Sequence, residues 1–438
     1  MSKKSNERKI KRRKVYINRL HKLMKEKQKN KTHKKVKRFR ISNYVVNNEY
    51  TCNNVIRLLN KKEFAEITIK KGTKTTIRIP EIFSFSENAD NTIKVLKNIY
   101  YCCKDLKVKE LKLDYSKCKK LSLGASCVTD IITLNMLDYR KRINNPLDLK
   151  GNYPKEEAFE IFVISGLVNH LGLVNLKNKN VKSLDIITNG EQSYIGEKVI
   201  QYYNECLNTK GYELSEVGQS ALGTMITEVI DNVGEHAGDL ASWYAQGHYT
   251  IGSENKPGKF RLVLFNFGDT IYEGLKRESS SNYTKKILNN ATKKHKKKRL
   301  FDFNWTEEVL WNLFSLQYKI SRANYSSDND RGVGTIDLIK SFLKLGKTVE
   351  NSKPIMSIVS GKSNILFDGT YTIHTLEKNG HNVPTIAFNK NNSLFERQDS
   401  RYVKSLKNNF PGTIIEMEFY IDREYLDKLK ENKRWKLK

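Results

Sequence analysis

The chain opens with MSKKSNERKIKRRKVYINRLHKLMKEKQKNKTHKKVKRFR, forty residues holding nineteen lysines and arginines against two acids. Like charges at that density repel one another, and too few apolar groups remain to bury, so a folded core has to start after them. Residues 1–41 are therefore read as a basic arm, helical in part and without a core of its own. The arm supplies about half of the formal net charge of +31. Across the 438 residues hydrophobic side chains still make up 38%, which leaves enough for two or three domains with cores of their own.

Several classes drop out early. The sequence contains no apolar run of about eighteen residues, and its basic start is not followed by an apolar stretch, so neither a membrane span nor a signal peptide is expected. Cys52, Cys102, Cys103, Cys118, Cys127 and Cys206 show no CxxC spacing and no companion histidines, which favours reduced thiols and a cytoplasmic setting. A second basic knot, KKILNNATKKHKKKR, runs from Lys285 to Arg299. Such runs attract polyanions by releasing counterions. Lys11, Arg12, Arg13 and Lys14 in the arm, and Lys296, Lys297, Lys298 and Arg299 in the knot, are the candidate nucleic-acid contacts. Neither run interleaves aromatics, so contact with backbone phosphate is expected, with little sequence preference. The other reading is of solvated tails in a lysine-rich chain.

Past residue 42 the pattern changes. EITIKKG, TTIRIPEIFSF and LKVKELKLDYS read as strands, and NADNTIKVLKNIYYC and GASCVTDIITLNMLDYRKR read as helices between them. Together they make a small α/β domain over 42–148. A connecting region, 149–210, follows, and a second helix–strand layer occupies 211–420. Residues 421–438 read as a charged tail, helical or fraying.

The stretch TEVIDNVGEHAG, Thr227 to Gly238, carries the chemistry. Val229, Ile230 and Val233 give an amphipathic helix its apolar face. Glu228, Asn232 and His236 stack at i, i+4 and i+8, with Asp231 and Glu235 beside them. An acid and an amide one turn apart can hold a hydrated Mg²⁺ and orient a water, and an imidazole a turn further on can reach phosphate. Downstream, KFRLVLFNFGDTIYEGL places Asn266 and Gly268 at the end of a buried run. SSDNDRGVGTIDLIKSF sets Arg331, Gly332 and Gly334 before an amphipathic helix, where glycines admit a phosphate to free backbone amides. FPGTIIEMEF, with Thr413, closes the region. Taken singly, a polar helix face and an ordinary turn explain each of these.

In this order the motifs resemble the GHKL (Bergerat-fold, histidine-kinase-like) ATPases over about Gly211 to Phe419. The resemblance implies an α/β (α+β) sandwich that binds ATP and Mg²⁺. Asn232 would be the metal ligand, Glu228 the catalytic base or water-orienting acid, and Gly332 and Gly334 the phosphate wrap. Asp231, His236, Arg331, Gly268 and Thr413 would complete the nucleotide site. Position 266 would meet the adenine amino group. The family's D-x-G-x-G box here reads Asn266-Phe267-Gly268-Asp269-Thr270, so the adenine contact would be uncharged and the turn stiffer. His170 lacks the neighbours of a phosphoacceptor histidine, and no transducer domain follows the last strand. That leaves the compact regulatory members, such as the anti-sigma-type kinases. KELKLDYSKCKKLSLGASCVTDIITL is similar to the centre of STAS domains, with Asp114 at a strand end and Ser122 and Ser126 in the loop. Residues 272–330 would be a long basic lid. The functional expectation is an ATPase or serine/threonine-type kinase acting as a switch, with a protein partner and homodimerisation by analogy. The alternative is a non-catalytic nucleic-acid-binding regulator that keeps the fold as a scaffold.

Overall fold

A computed structural model describes residues 38–41, 51, 53–64, 72–171, 178–188, 192–216, 219, 222–223, 226, 242–253, 257–277, 281–317, 336, 339–340, 342, 353–378, 381–421 and 435–437. The architecture is mixed α/β, built on two main sheets with helices between them and beyond them.

The first sheet has four strands in the order β1 (Arg38–Ile41), β6 (Asp148–Asn152), β4 (Glu110–Asp114) and β2 (Lys74–Arg78). β2, β4 and β6 run parallel, and β1 lies antiparallel against β6. The last residues of the basic arm are thus a strand and not part of a tail. In RFRI the arginines alternate with Phe39 and Ile41, which are buried, and that alternation docks an edge strand despite the charge beside it. A short parallel pair, β3 (Ile82–Phe83) and β5 (Lys120–Leu121), sits at the ends of the connections.

Parallel neighbours need crossovers, and two long helices provide them. Following a short α1 (Asn53–Lys61), α2 (Phe85–Lys104) starts at Ser84, whose hydroxyl accepts from the Glu87 amide. It buries Phe85, Ala89, Ile93, Leu96, Ile99 and Cys103 at helical spacing. α3 (Leu123–Arg142) is capped by Ser122 and buried on every side from Leu123 to Leu137. Two of its buried polar residues are satisfied by the preceding turn: Thr129 donates to the Ala125 carbonyl (2.7 Å) and Asn135 to that of Ile131 (2.8 Å). A helix buried all round needs a second layer on its far side, and the second sheet supplies it.

That sheet has five antiparallel strands in the order β11 (Ile355–Phe367), β14 (Val403–Ile421), β10 (Gly258–Phe267), β9 (Ser242–Thr250) and β7 (Val181–Thr188). Alternation along its strands feeds two cores. Val263, Phe265, Phe267, Val359 and Ile414 face α2 and α3 and join the first sheet's core. Phe260, Leu262, Leu264, Ile415 and Met417 face the opposite way, into a second core. α4 (Glu156–Ile164) and α5 (Leu167–His170) link the layers. α6 (Gln192–Asn208) packs on the second core, so β7 and α6, both from the 149–210 stretch, belong to the second sheet's layer.

The segment read as a lid begins as packed helix. α7 (Ile271–Lys276), α8 (Asn282–Lys297) and α9 (Glu307–Ser315) precede the hairpin of β12 (His374–Lys378) and β13 (His381–Thr385). Leu288, Ala291, Leu310, Leu313 and Phe314 anchor α8 and α9 in the second core. At the far end of the chain, β15 (Trp435–Leu437) pairs with β8 (Tyr212–Leu214), so the tail contributes a strand where a helix or a frayed end was expected.

Candidate functional site

Three neighbouring strands of the second sheet each place one uncharged polar side chain at the same level, on the face of the second core. In the ladder Asn266 of β10 is the partner of Thr413 of β14, which is the partner of Ser360 of β11. All three are buried. Asn266 Oδ1 accepts from the Thr413 amide (2.8 Å), and the Thr413 and Ser360 hydroxyls share a hydrogen bond of 2.8 Å. The Ser360 hydroxyl also accepts from the Ile271 amide (2.9 Å), and its carbonyl accepts from Asn312 Nδ2 (3.2 Å). Buried polar groups are tolerated when paired in this way, and a connected set fixes a single local geometry.

Glycine makes the close approach between these strands feasible. Gly412 has φ +151°, and a Cβ there would lie 2.1 Å from the Asn266 carbonyl oxygen. The Gly268 amide donates to the Pro411 carbonyl (3.0 Å), closing the end of the β10–β14 pair. At the bulge in β11, Gly361 (φ +60°) lets the Glu308 carboxylate of α9 approach and accept from the Lys362 amide (2.7 Å). Burial raises the pKa of Glu308 above the ordinary carboxylate range, against the opposing pull of that amide.

The residues that depart from the D-x-G-x-G pattern have structural work of their own. Thr270 is the N-cap of α7: its hydroxyl accepts from the Glu273 amide (3.1 Å), and the Glu273 carboxylate accepts from the Thr270 amide (2.8 Å). This is a capping box, legible in the sequence as T-I-Y-E. Asp269 pairs with Lys62 (3.1 Å) and with Arg277, and Lys62 also reaches Glu273 (2.7 Å). Burial works against the charge on Glu273, yet Lys62 and the Thr270 amide outweigh it and hold the pKa low.

Of the residues singled out from the sequence, Asn266, Gly268 and Thr413 are brought together here. Glu228, Asp231, Asn232, His236, Arg331, Gly332 and Gly334 lie outside the described residues, as do Lys11, Arg12, Arg13 and Lys14. Ile226, just before the polar column, and Ile336, just after the glycine pair, both join the second core. Asn266 was expected to offer its oxygen to a ligand, and that oxygen already accepts the Thr413 amide. Ser360, Asn312 and Glu308 were not anticipated, and nothing in SIVSGKS marks Ser360 as the third member.

Lys296, Lys297, Lys298 and Arg299 end α8 and the turn after it. All four are exposed, while the opposite side of the helix buries Thr284, Leu288, Ala291, Thr292 and His295. The His295 ring is held by Trp305 Nε1 (3.2 Å) and the Leu394 carbonyl (3.0 Å), and its burial lowers its pKa. The lysines therefore project from a fixed helix.

Compared with family models, with curated proteins and with solved structures, the chain matches none.

Proposed function

We propose that the chain is a Mg·ATP-binding regulatory protein of the GHKL type, its second layer a Bergerat-like module and its first a STAS-like one. The observation that carries this reading is the register of Asn266 on Thr413, 147 positions apart in sequence and side by side at the end of two central strands. The donor set there is a carboxamide and two hydroxyls with no charge among them, which suits a neutral planar heterocycle and not an anion. Adenine would be met by the Asn266 amide oxygen as a second hydrogen bond beside that of the Thr413 amide, with Thr413 next to it. Ile226 and Ile336 support the reading, because both motif-bearing segments lead into the same core. Glu228 would orient the attacking water and Asn232 would hold Mg²⁺, whose charge would offset that of the triphosphate.

Titration calorimetry with ATP, GTP and a non-hydrolysable ATP analogue, with and without Mg²⁺, tests this directly. ATP and its analogue are expected to bind in a Mg²⁺-dependent manner, and GTP more weakly. Glu228→Ala should abolish turnover with ATP still bound, and Asn232→Ala should remove the Mg²⁺ dependence. No heat with any nucleotide would reject the proposal, and undiminished turnover by Glu228→Ala would reject that residue's role.

A second reading, a nucleic-acid-binding regulator, is favoured by the rigid presentation of the lysines of α8. Its signature is affinity that falls steeply with salt.

A further inference from the structure

The turn after α8 exposes a large aromatic side chain where hydrophobicity alone would hide one. Phe303 is 88% exposed, whereas the other exposed large apolar residues among those described reach 59% or less. The turn that carries it is firmly built. Asp302 Oδ1 accepts from the amides of Asn304 (2.8 Å) and Trp305 (2.9 Å), and the other carboxylate oxygen pairs with Arg397. The Asn304 carbonyl accepts from the Ser405 amide of β14 (2.9 Å). Trp305 is buried and donates its indole N–H to His295, one turn from the end of α8. Phe303 is thus held out at the tip of a locked turn, beside the cations that finish the helix.

Those cations lie close to it in sequence, and Arg397 pairs with the residue just before it. The Leu300 amide donates to the His295 carbonyl and the Arg299 amide to that of Lys296, so 296–300 wrap directly back onto the helix end. Lys297, Lys298 and Arg299 are exposed, and Arg397 lies on the other side of the turn. The nearby acids are engaged: Asp302 by Arg397, and Glu307 by Tyr272 and, more loosely, by Lys276 and Lys296. An aromatic face rigidly presented among positive charges in excess of the acids fits a base stacked on the ring with phosphates on either side. Duplexes keep their bases stacked internally and offer such a ring nothing. The aromatic falls just past the end of the basic run, which itself contains no Phe, Tyr or Trp.

We infer that the α8–turn surface, with Phe303 as its stacking platform and Lys297, Lys298 and Arg299 as its phosphate-binding cations, binds single-stranded nucleic acid in preference to duplex. The inference rests on the nucleic-acid reading above and names its ligand class and site.

Fluorescence anisotropy on the full chain, with a labelled single-stranded RNA, the matching DNA strand and its duplex, tests it. Phe303→Ala should weaken single-strand binding about 5- to 150-fold, the range for losing one stacked base, and leave duplex binding unchanged. Phe303→Trp should restore the affinity. Lys297→Ala with Arg299→Ala should lower the single-strand salt slope by about 0.7 for each phosphate no longer neutralised. Single-strand binding by the parent that Phe303→Ala leaves intact would overturn the stacking inference while sparing the electrostatic reading. Equal affinity for strand and duplex would also overturn it. Failure of the parent to bind any of the probes, or binding only to vesicles rich in anionic lipid, would reject both. ATP calorimetry on Phe303→Ala keeps these outcomes separate from the nucleotide proposal, since its nucleotide binding should match the parent.

Discussion

β10 and β14 lie side by side from Gly258 opposite Ile421 to Phe267 opposite Gly412, and their two ends are made of different chemistry. At one end Asn266 and Thr413, with Ser360, form an uncharged chain of hydrogen bonds facing the second core. At the other end and on the opposite face, Arg261 is buried between Glu157 and Glu418, and Lys259 touches both acids (2.9 and 2.7 Å). Next to them Glu416, only 6% exposed, accepts from the Gly124 amide at the start of α3 (2.8 Å). Its second oxygen has no hydrogen-bond partner among the described residues. Neutral networks keep their strength across pH, whereas a buried carboxyl without a cation bonded to it ties stability to its own titration. The contrast separates an uncharged, mutually paired end from one where a buried carboxyl sits between the two layers.

The largest effect expected at either end concerns Glu416. Burial pushes its carboxyl up to about 7, opposed by the Gly124 amide and the Ser122 hydroxyl. Because the folded value lies above the unfolded 4.5, its contribution is fully present below about pH 4.5 and is lost as pH rises through 7. The change is on the order of 3 kcal/mol. Urea denaturation of Glu416→Gln from pH 4.5 to 8 should show a flatter profile than the parent and greater stability at pH 8. Parallel profiles would erase the contrast. Next in size is Asn266→Leu, which strands the buried Thr413 amide and should cost about 2 kcal/mol. That loss should be equal at pH 5 and pH 8. Smallest is Thr413→Val, expected to cost about 1 kcal/mol, since Ser360 keeps the Ile271 amide as a donor. A pH-dependent cost at Thr413 would show that the two ends are electrostatically linked.

The sequence made parts of this arrangement readable and concealed others for identifiable reasons. LKVKELKLDYS and KFRLVLFNF became strands because alternating or continuous apolar runs leave few other solutions, and GASCVTDIITL became a helix capped by its preceding serine. Asn266, Gly268 and Thr413 could be grouped from motif order, and the ladder sets them together. The capping role of Thr270 was visible in T-I-Y-E but was obscured by comparison with a glycine-rich box. Glu416 could not be anticipated. In IIEMEF the alternation looks like one core face and one solvent face, and only the docking of α3 turns the polar face inward. Phe303 is the converse, an aromatic that composition assigns to a core and a turn holds in solvent.

β14 is the second strand of the second sheet, with the edge strand β11 on one side and β10 on the other, and its side chains feed both cores. It is also the last strand of that sheet to leave the ribosome. Until about residue 421 has emerged, β10 and β11 have no shared neighbour, and α3 has only β9 and β10 of this sheet to rest on. β11 must therefore wait, unjoined to the rest of its sheet, until the last strand is made, so the sheet's apolar surface is completed only late in synthesis.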